Sequence, residues 1–372
     1  MFPPVRAVIE IPVELGARSY RISIGQGILE RTAGFLPSID YTSAAILTHP
    51  HLSDPYAEPV RRSLEDRGIP VTIITSPAGI RGKTLQTAAR LYGRLLAVGI
   101  DRKGLIVTVG GGVLGDVGGF VAATFLRGID FVQIPTTLLA QVDASIGGKT
   151  GVDLAGGKNL VGAFHQPRAV VIDLETLRTL PLRELRSGLA EVVKYGIIAD
   201  EALFEFLAAQ MPLIIRRDFD VLSSAIERSC RTKAAVVAKD ETEQGRRAIL
   251  NFGHTVGHAL ETVTGYRRYK HGEAISIGMI SASLIGESIG ITPPDVTTRL
   301  AGVLRAARLP TVFPAEVPHN EVLEAMSHDK KALSGRPRFV LARAIGNVEH
   351  GIDVPETAVR AALARQGLGF RV

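Results

Sequence analysis

Short apolar runs alternate with helix-length amphipathic stretches through the first half of the chain. The runs have the length and β-branched content of strands, and they cover residues 5–13, 19–24, 44–47, 71–75, 105–109, 131–134 and 169–172. The first two runs predict an opening β-hairpin, and residues 84–97 predict one of the intervening helices. Strands that are apolar throughout and alternate with helices indicate a parallel sheet covered on both faces.

The pattern changes close to residue 180. Leu185, Leu189, Val193 and Ile197 follow helical spacing, and similar periodicity continues to residues 358–364. Strand-like runs almost disappear, apart from a short one at residues 339–341. We therefore predict an α/β Rossmann-like domain at residues 1–179 and a mostly α-helical domain at residues 180–372. Two domains also suit a chain of 372 residues.

Composition and charge narrow the class of protein. The chain is 46% hydrophobic and 22% charged, with one cysteine, Cys230, which fits a reducing compartment. The first residues lack the apolar core of a signal peptide, and the apolar stretch at 274–286 is too short to span a bilayer. Basic residues give a net charge of +6 but are scattered. We expect a cytoplasmic protein with a small anionic substrate, and neither a membrane nor a nucleic-acid partner.

A glycine-rich turn follows the strand predicted at residues 105–109. Residues 110–116 read Gly-Gly-Gly-Val-Leu-Gly-Asp, and we predict a helix that begins near Val117. Such a turn lets the backbone approach a pyrophosphate at a helix N-terminus, although a tight strand–helix connection would have the same sequence. It follows a middle strand, so the standard Rossmann fingerprint does not apply. Thr136 and Thr137 follow the next strand, where their hydroxyls suit either ribose and phosphate oxygens or a helix N-cap.

Lysines recur in glycine-rich segments between residues 141 and 159. Lys149 and Lys158 each follow two glycines, and Arg127 precedes both segments. Lysines beside backbone donors favour an anion cradle. The alternative, a solvated lysine in a loop, is weaker because two such segments occur close together.

Three histidines lie within eighteen residues: His254, His258 and His271. The first two are four apart, so they share one face of a helix. Glu191 and Lys194 lie on an earlier apolar helix, where a buried carboxylate needs a partner such as a metal. Two histidines and a glutamate form a catalytic zinc-type set. The alternatives are polar residues packed between helices and a surface ion pair of little energetic value.

Six segments, in order along the chain, together resemble the 3-dehydroquinate synthase family. They are residues 110–116, 135–150, 157–164, 188–196, 251–261 and 271–275. The resemblance implies a homodimer that uses NAD and a divalent metal, usually zinc, with cobalt as an alternative. It implies conversion of 3-deoxy-D-arabino-heptulosonate 7-phosphate to 3-dehydroquinate and phosphate, in the shikimate pathway of aromatic amino-acid biosynthesis. The steps would be transient oxidation by NAD, phosphate elimination, re-reduction and an intramolecular aldol closure.

The resemblance also implies roles for individual residues. The implied metal ligands are Glu191, His254 and His271. The implied catalytic residues are His258, which moves protons, with Lys149, Lys194, Asn251 and Glu243. The implied substrate-binding residues are Arg127, which would reach the phosphate across the dimer, Asp143, Asn159, Lys233, Arg247 and Lys330. The implied NAD site comprises Lys83, Gly112, Val113, Leu114, Gly115, Asp116, Thr136, Thr137, Lys149, Lys158, Thr176, Leu177, Arg178 and Thr179.

Two positions depart from the family pattern. Ile80 stands where an acid is expected, and His49 stands where an acidic or amide residue often follows a strand. An acid near the ribose 2′-hydroxyl is the usual determinant of NAD binding. We still expect NAD rather than NADP, because loss of an acid does not by itself create a site for the 2′-phosphate.

Three other functions are compatible with parts of this pattern. One is another sugar phosphate cyclase, but Asn251, Lys149 and the basic cluster favour a carboxylated substrate. A metal-dependent polyol dehydrogenase of the same fold would not need so many anion-binding side chains. A non-catalytic sugar-phosphate or nucleotide binder is disfavoured because metal, cofactor and anion motifs occur together.

Overall fold

The computed structural model of the chain describes residues 7–76, 79, 82–154, 157–327 and 337–369. It divides into two compact units, one formed by Met1–Leu180 with Lys233–Thr242 and the other by Pro181–Thr232 with Glu243–Val372. Two residues singled out in the sequence, Ile80 and Lys330, lie outside the described residues.

A seven-stranded sheet forms the centre of the first unit. Its strands are β1 (Ile9–Val13), β2 (Tyr20–Gly25), β3 (Ala44–Thr48), β4 (Val71–Thr75), β5 (Leu105–Gly110), β6 (Asp130–Pro135) and β9 (Ala169–Asp173). They lie in the order β1-β2-β9-β6-β5-β3-β4. Only the edge pair β1–β2 is antiparallel among these described strands, with Ile9 opposite Ile24. The predicted hairpin and parallel sheet are therefore confirmed.

Two further pairs of strands lie outside this sheet. The first unit contains the antiparallel hairpin of β7 (Lys149–Leu154) and β8 (Gly157–Phe164). The second unit contains the hairpin of β10 (Arg338–Ala344) and β11 (Asn347–Asp353).

Helices supply most of the remaining structure. They are α1 (Pro50–Leu52), α2 (Glu58–Asp66), α3 (Leu85–Ala97), α4 (Gly112–Thr124), α5 (Leu182–Ala199), α6 (Glu201–Ile215), α7 (Phe219–Lys239), α8 (His254–Val263), α9 (His271–Ser288), α10 (Pro294–Ala306), α11 (His319–Ser327) and α12 (Glu356–Gly367). Short 3₁₀ or π segments lie at Gly16–Arg18, Leu29–Phe35, Ser53–Ala57, Phe125–Arg127, Ala140–Ala144, Leu174–Leu177 and Arg246–Asn251. No helix in the described part of the chain is long and apolar enough to span a membrane.

Alternate residues of each central strand pack against opposite layers of helices. Ile46 and Val107 belong to the core that includes α2, whereas Leu47 and Ile106 belong to the core that includes α3 and α4. Both layers bury apolar side chains, which explains why the strand sequences are apolar throughout rather than alternating.

The strand that follows β3 in the sequence and the strand that follows β5 lie on opposite sides of the β3–β5 pair. From β3 the chain continues outward to β4, and from β5 it continues through β6 toward β9. Ligands of open α/β sheets bind at such a switch point, beyond the carboxyl ends of the strands. His49 follows β3 and the glycine-rich turn follows β5, so both lie at this place in the sheet.

The helix after the glycine-rich turn begins earlier than predicted. It starts at Gly112, with Gly111 as its N-cap, rather than near Val117. A Cβ on Gly115 would collide with the side chain of Gln133, and one on Gly118 would collide with that of Thr108. These glycines therefore form the face of α4 that packs closely on β5 and β6.

The lysine-bearing segments predicted as glycine-rich loops are mainly strands. Lys149 begins β7, and Lys158 and Asn159 lie near the start of β8. A Cβ on Gly162 would collide with the carbonyl oxygen of Thr150, so glycine is required where the two strands pair. These strands were not predicted because their glycines carry no side chains, so the sequence shows no clear alternation of apolar and polar positions.

The second unit is mainly helical, as predicted. It contains α5, α6, the first part of α7, and α8–α12. The strand predicted at residues 339–341 lies within β10, but β11 was not predicted. Most residues of β11 are polar and at least partly exposed, so the strand carries no apolar signal of its own.

Candidate active site

Helices α5, α8 and α9 bring the three predicted metal ligands together. A Cβ on Gly272 would collide with the carbonyl oxygen of Ser187, so α9 touches the backbone of α5. A Cβ on Gly278 would likewise collide with the carbonyl oxygen of Gly253, which begins α8 at a φ of +79°. These contacts require residues without side chains, and they fix the distances between the helices that carry Glu191, His254 and His271.

The ligand atoms of Glu191, His254 and His271 all lie within 4.8 Å of one another. Nε2 of His254 is 3.6 Å from Oε1 of Glu191, and Nε2 of His271 is 3.7 Å from the same oxygen. Tetrahedral zinc with bonds of about 2.0–2.1 Å separates neighbouring ligand atoms by about 3.4 Å. The spacing therefore fits a divalent cation after small shifts of the side chains.

The outer nitrogen of each histidine ring has its own partner. Nδ1 of His254 donates to the carbonyl oxygen of Phe252 at 3.1 Å. Nδ1 of His271 donates to Oε2 of Glu261 at 3.2 Å. A neutral ring that donates from Nδ1 offers its Nε2 lone pair to a metal, and Nε2 of both rings lies within 3.7 Å of Oε1 of Glu191. This is the usual arrangement of metal-ligating histidines.

A second group of potential ligands shares one residue with the first. His258, Glu261 and His271 also offer ligand atoms within 4.8 Å of one another. The rings of His254 and His258 lie nearly perpendicular, with centroids 5.1 Å apart. Sequence reasoning did not assign a role to Glu261, although it lies three residues after His258 in the same motif.

The charges around the cluster favour a bound cation. Glu191 is fully buried and forms an ion pair with the buried Lys194, as the apolar flanks of this pair suggested. Burial by itself lowers the pKa of His271, but hydrogen bonds and attraction from Glu191 and Glu261 outweigh this effect and raise the pKa to about 10. Without a cation the site holds a proton, which a metal would displace on binding.

Other predicted residues of the second unit lie near the start of α8. The amide nitrogen of Asn251 donates to Oε1 of Glu243 at 3.2 Å. Glu243 has a φ of +59°, a left-handed conformation that few side chains adopt. Arg247 is buried despite its charge.

Two lysine–aspartate pairs form within the first unit. Nζ of Lys83 donates to Oδ2 of Asp116 at 2.5 Å and also to the side-chain oxygen of Asn159. Burial raises the pKa of Asp116, whereas the Lys83 ammonium opposes this rise. Nζ of Lys233 donates to Oδ1 of Asp143 at 2.6 Å. These contacts bring predicted NAD-binding and substrate-binding residues next to one another. Each lysine ammonium group bonds a polar side chain.

Several hydroxyls in the predicted NAD set already bond within the protein. Thr137 accepts from the backbone of Ala140, which confirms the N-cap interpretation of this residue. Thr176 donates to the carbonyl oxygen of Asp173, and Thr179 bonds the hydroxyl of Tyr56.

The remaining predicted NAD residues differ in exposure. Thr136, Leu114, Gly115 and Leu177 are buried. Gly112, Val113 and Lys158 are partly exposed, whereas Arg178 and Lys149 are exposed. Arg178 forms an ion pair with Glu175 at 2.7 Å.

His49 and Arg127 occupy unusual positions in the first unit. His49 is buried at the end of β3, and its Nδ1 donates to the carbonyl oxygen of Ser76 at 2.9 Å. Burial lowers the pKa of His49 and favours the neutral ring. Arg127 is exposed and has a φ of +68°, between Leu126 and Gly128, whose φ angles are also positive.

Two family models together match most of the chain. The one described as 3-dehydroquinate synthase N-terminal matches residues 73–187, and the one described as 3-dehydroquinate synthase C-terminal matches residues 188–332. A 3-dehydroquinate synthase from Synechococcus is 47% identical over 360 residues, covering 95% of this chain and 98% of that protein. One from Desulforamulus reducens is 45% identical over 356 residues, covering 95% and 99%.

Solved structures that share the fold differ in how similar their sequences are to this chain. A 2-deoxy-scyllo-inosose synthase complexed with carbaglucose-6-phosphate, NAD⁺ and Co²⁺ is 26% identical, with a TM-score of 0.88 over 96% of this chain and 100% of that one. A 2-epi-5-epi-valiolone synthase from Streptomyces hygroscopicus with NAD⁺ and Zn²⁺ bound is also 26% identical, with a TM-score of 0.86 over 98% and 99%. A probable glycerol dehydrogenase from Sinorhizobium meliloti, 17% identical with a TM-score of 0.64 over 93% and 96%, shares the fold alone.

Proposed function

Because this chain belongs to the 3-dehydroquinate synthase family, we propose that it is a carbon–oxygen lyase that forms 3-dehydroquinate and phosphate. The substrate would be 3-deoxy-D-arabino-heptulosonate 7-phosphate. Relatives with this name are 45–47% identical over nearly the whole chain, whereas the cyclases that make other products are 26% identical. We expect the enzyme to act in the cytoplasm.

The observation that carries the proposal is the cluster of Glu191, His254 and His271. We propose that these residues hold Zn²⁺ or Co²⁺, the ions named in two related structures. Both histidines bond a protein oxygen through Nδ1, which leaves Nε2 to bind a cation once any proton there is displaced, so the donor set fits such a cation. The cation would supply Lewis-acid chemistry at substrate oxygens, and NAD would supply reversible hydride transfer.

We propose that residues 1–179 form the NAD-binding domain. The carboxyl ends of β3 and β5 flank the switch point of the sheet, and the N-terminus of α4 offers free N–H groups for the pyrophosphate. The proposed contacts come from the predicted set, namely Lys83, Gly112, Val113, Leu114, Gly115, Asp116, Thr136, Thr137, Lys149, Lys158, Thr176, Leu177, Arg178 and Thr179. Those threonines whose hydroxyls bond within the protein would contribute mainly through backbone atoms.

We propose that residues 180–372 carry the metal and part of the substrate site. His258 would move protons beside the metal ligands, with Lys194, Asn251 and Glu243 as further catalytic residues. Arg247, in this region, and Lys330, outside the described residues, would bind anionic groups of the substrate. In the first unit, the residues that would together hold the substrate's hydroxyls, carboxylate and phosphate are Arg127, Asp143, Lys149, Asn159 and Lys233. Cationic groups of this kind stabilise a carboxylate and a departing phosphate.

We further propose a homodimer formed through the β7–β8 hairpin. Leu160 and Phe164 are 53% and 48% exposed and lie on one face of β8. The opposite face of this hairpin packs on α4, where Val152 is buried, so Leu160 and Phe164 lie on its exposed face. Burying this face against a second copy would stabilise it. Sedimentation should show a dimer for the native chain and a monomer for Leu160→Glu, and an unchanged dimer would contradict this interface.

The proposed activity is tested by measuring phosphate release from the heptulosonate. Release should require NAD and stop with a chelator, and NADH should not accumulate because the hydride is returned. A panel of uncarboxylated sugar phosphates should be inactive. Stoichiometric NADH formation would instead indicate a dehydrogenase, and turnover of an uncarboxylated substrate would indicate a different cyclase. A folded Glu191→Ala variant with undiminished turnover would contradict the role of the metal cluster.

A further inference from the structure

Four arginines surround an open pocket in the second unit, and none of the residues that line it was assigned a role above. They are Arg183, Arg268, Arg305 and Arg308, and the pocket has a volume of about 600 Å³. Of the described residues that line it, Glu273 alone is acidic. A pocket of this size accommodates a small molecule, since ligand pockets commonly measure about 300–1,000 Å³.

Two of these guanidinium groups are held in fixed positions. Arg183 donates from Nε and from one Nη to the two carboxylate oxygens of Glu273, each at 2.7 Å. It also donates to the carbonyl oxygen of Arg268 at 2.9 Å. Arg268 forms an ion pair with Glu316 and lies 5.2 Å from the ring centroid of Tyr269. These contacts orient two positive groups before any ligand arrives, which lowers the cost of ordering them on binding.

Arg308 occupies a position that favours glycine. It follows the last turn of α10 with a φ of +56°, and the backbone amide of Leu309 donates to the carbonyl oxygen of Leu304 at 2.9 Å. This is the helix ending in which the left-handed residue is usually glycine. The Arg308 side chain is exposed, and its guanidinium has no hydrogen bond or ion pair with any residue that the structure describes. A strained backbone beneath a side chain without such contacts indicates a role for that side chain in binding.

We propose that this pocket binds a small molecule with at least two anionic groups, either phosphates or carboxylates. Guanidinium groups match both kinds of oxygen acid through paired hydrogen bonds. Arg183 and Arg268 present guanidinium groups that are oriented by Glu273 and Glu316, whose carboxylates offset their charge, and Arg308 adds a guanidinium without such a partner among the described residues. None of these residues belongs to the proposed metal, NAD or substrate sets, so the inference does not depend on the proposed reaction.

The test is a binding titration of the full chain, loaded with its metal and NAD, at constant ionic strength. Fructose bisphosphate and tricarballylate serve as the phosphate and carboxylate probes, with chloride as the reference. Arg308→Gly should weaken the better probe by about 10- to 100-fold, because a charge-assisted hydrogen bond is lost. Arg308→Lys keeps the charge but loses the paired donors, so its affinity for the probe should lie between those of the native chain and Arg308→Gly.

Arg217→Gly is the matched control. Arg217 is also an arginine with a positive φ, 62°, but it does not line the pocket. Both variants replace an arginine at a left-handed position with glycine, yet only Arg308→Gly should weaken the probe. Equal affinity for the native chain and Arg308→Gly, or binding of neither probe above chloride, would overturn the proposal. A response to one probe only would identify the chemical class of the ligand.

Discussion

Two histidines one helical turn apart should differ in their effect on the bound metal. Replacing His254 should release the metal, whereas replacing His258 should leave it bound. His254 and His258 lie on the same helix, and their rings are neighbours. We expect His254→Ala to lose metal affinity, because it would remove one of the three proposed metal ligands. We expect His258→Ala to keep the metal and lose turnover, because His258 would act on the substrate. The identical substitution on one helix makes each variant the control for the other.

The size of the effect follows from the contacts of each ring. Loss of a residue that only orients a ligand typically weakens metal binding by about 10- to 100-fold. His254 directs Nε2 at the buried Glu191 carboxylate from 3.6 Å, so its loss should exceed that range. A factor above about 100 corresponds to more than about 2.7 kcal/mol of binding free energy. His258→Ala should change the affinity by less than about tenfold.

Metal affinity is best measured by competition with a chromogenic chelator, after removal of the native ion by dialysis. Circular dichroism should show that both variants are folded, and phosphate release measured at saturating metal separates binding from turnover. The opposite pattern, with metal lost from His258→Ala and kept by His254→Ala, would refute the assignment. It would place the cation instead between His258, Glu261 and His271, the second group of ligand atoms.

Three further predictions concern residues around this centre and in the helical core. Glu261→Gln should weaken metal binding by about 10- to 100-fold in the same titration, because it removes the carboxylate that orients a ligating ring; an unchanged affinity would contradict that role. Gly272→Ala should destabilise the protein by about 1–3 kcal/mol in urea unfolding and also weaken the metal, because its Cβ would collide with the carbonyl oxygen of Ser187; an unaltered midpoint would show that the helices can separate. Gln366→Met should cost about 2–4 kcal/mol, because the fully buried amide bonds two carbonyl oxygens and a serine hydroxyl; the same change at the exposed Gln86 should have little effect.

The central sheet could be predicted because its signal is local. The inner strands β3, β5, β6 and β9 bury both faces, so the apolar run marks each of them wherever the helices lie. Glycine removed this signal at two places, the start of α4 and the β7–β8 hairpin, where close packing required residues without side chains. Polar residues removed it from β11. In each case the sequence did not show which helix or strand packs against the residues concerned.

The metal cluster shows a different limit of prediction from sequence. Helical spacing alone placed His254 and His258 on one face but could not decide which of them faces Glu191, more than sixty residues earlier in the chain. The resemblance to the family supplied that distinction, and the distances brought the three residues together. Glu261 was overlooked because a carboxylate in a helical motif gives no sign of which distant ring it will meet.

The spacing of the metal ligands is set by contacts between main chains. Where Gly272 meets Ser187 and Gly278 meets Gly253, the contact is with a backbone carbonyl oxygen, which cannot adjust by changing rotamers. The centre should therefore tolerate exchange of the ligands themselves better than repacking of the glycines. A His254→Cys variant should keep the same helix spacing and shift the metal preference toward softer ions. The three helices α5, α8 and α9 would then serve as a scaffold for changing metal selectivity.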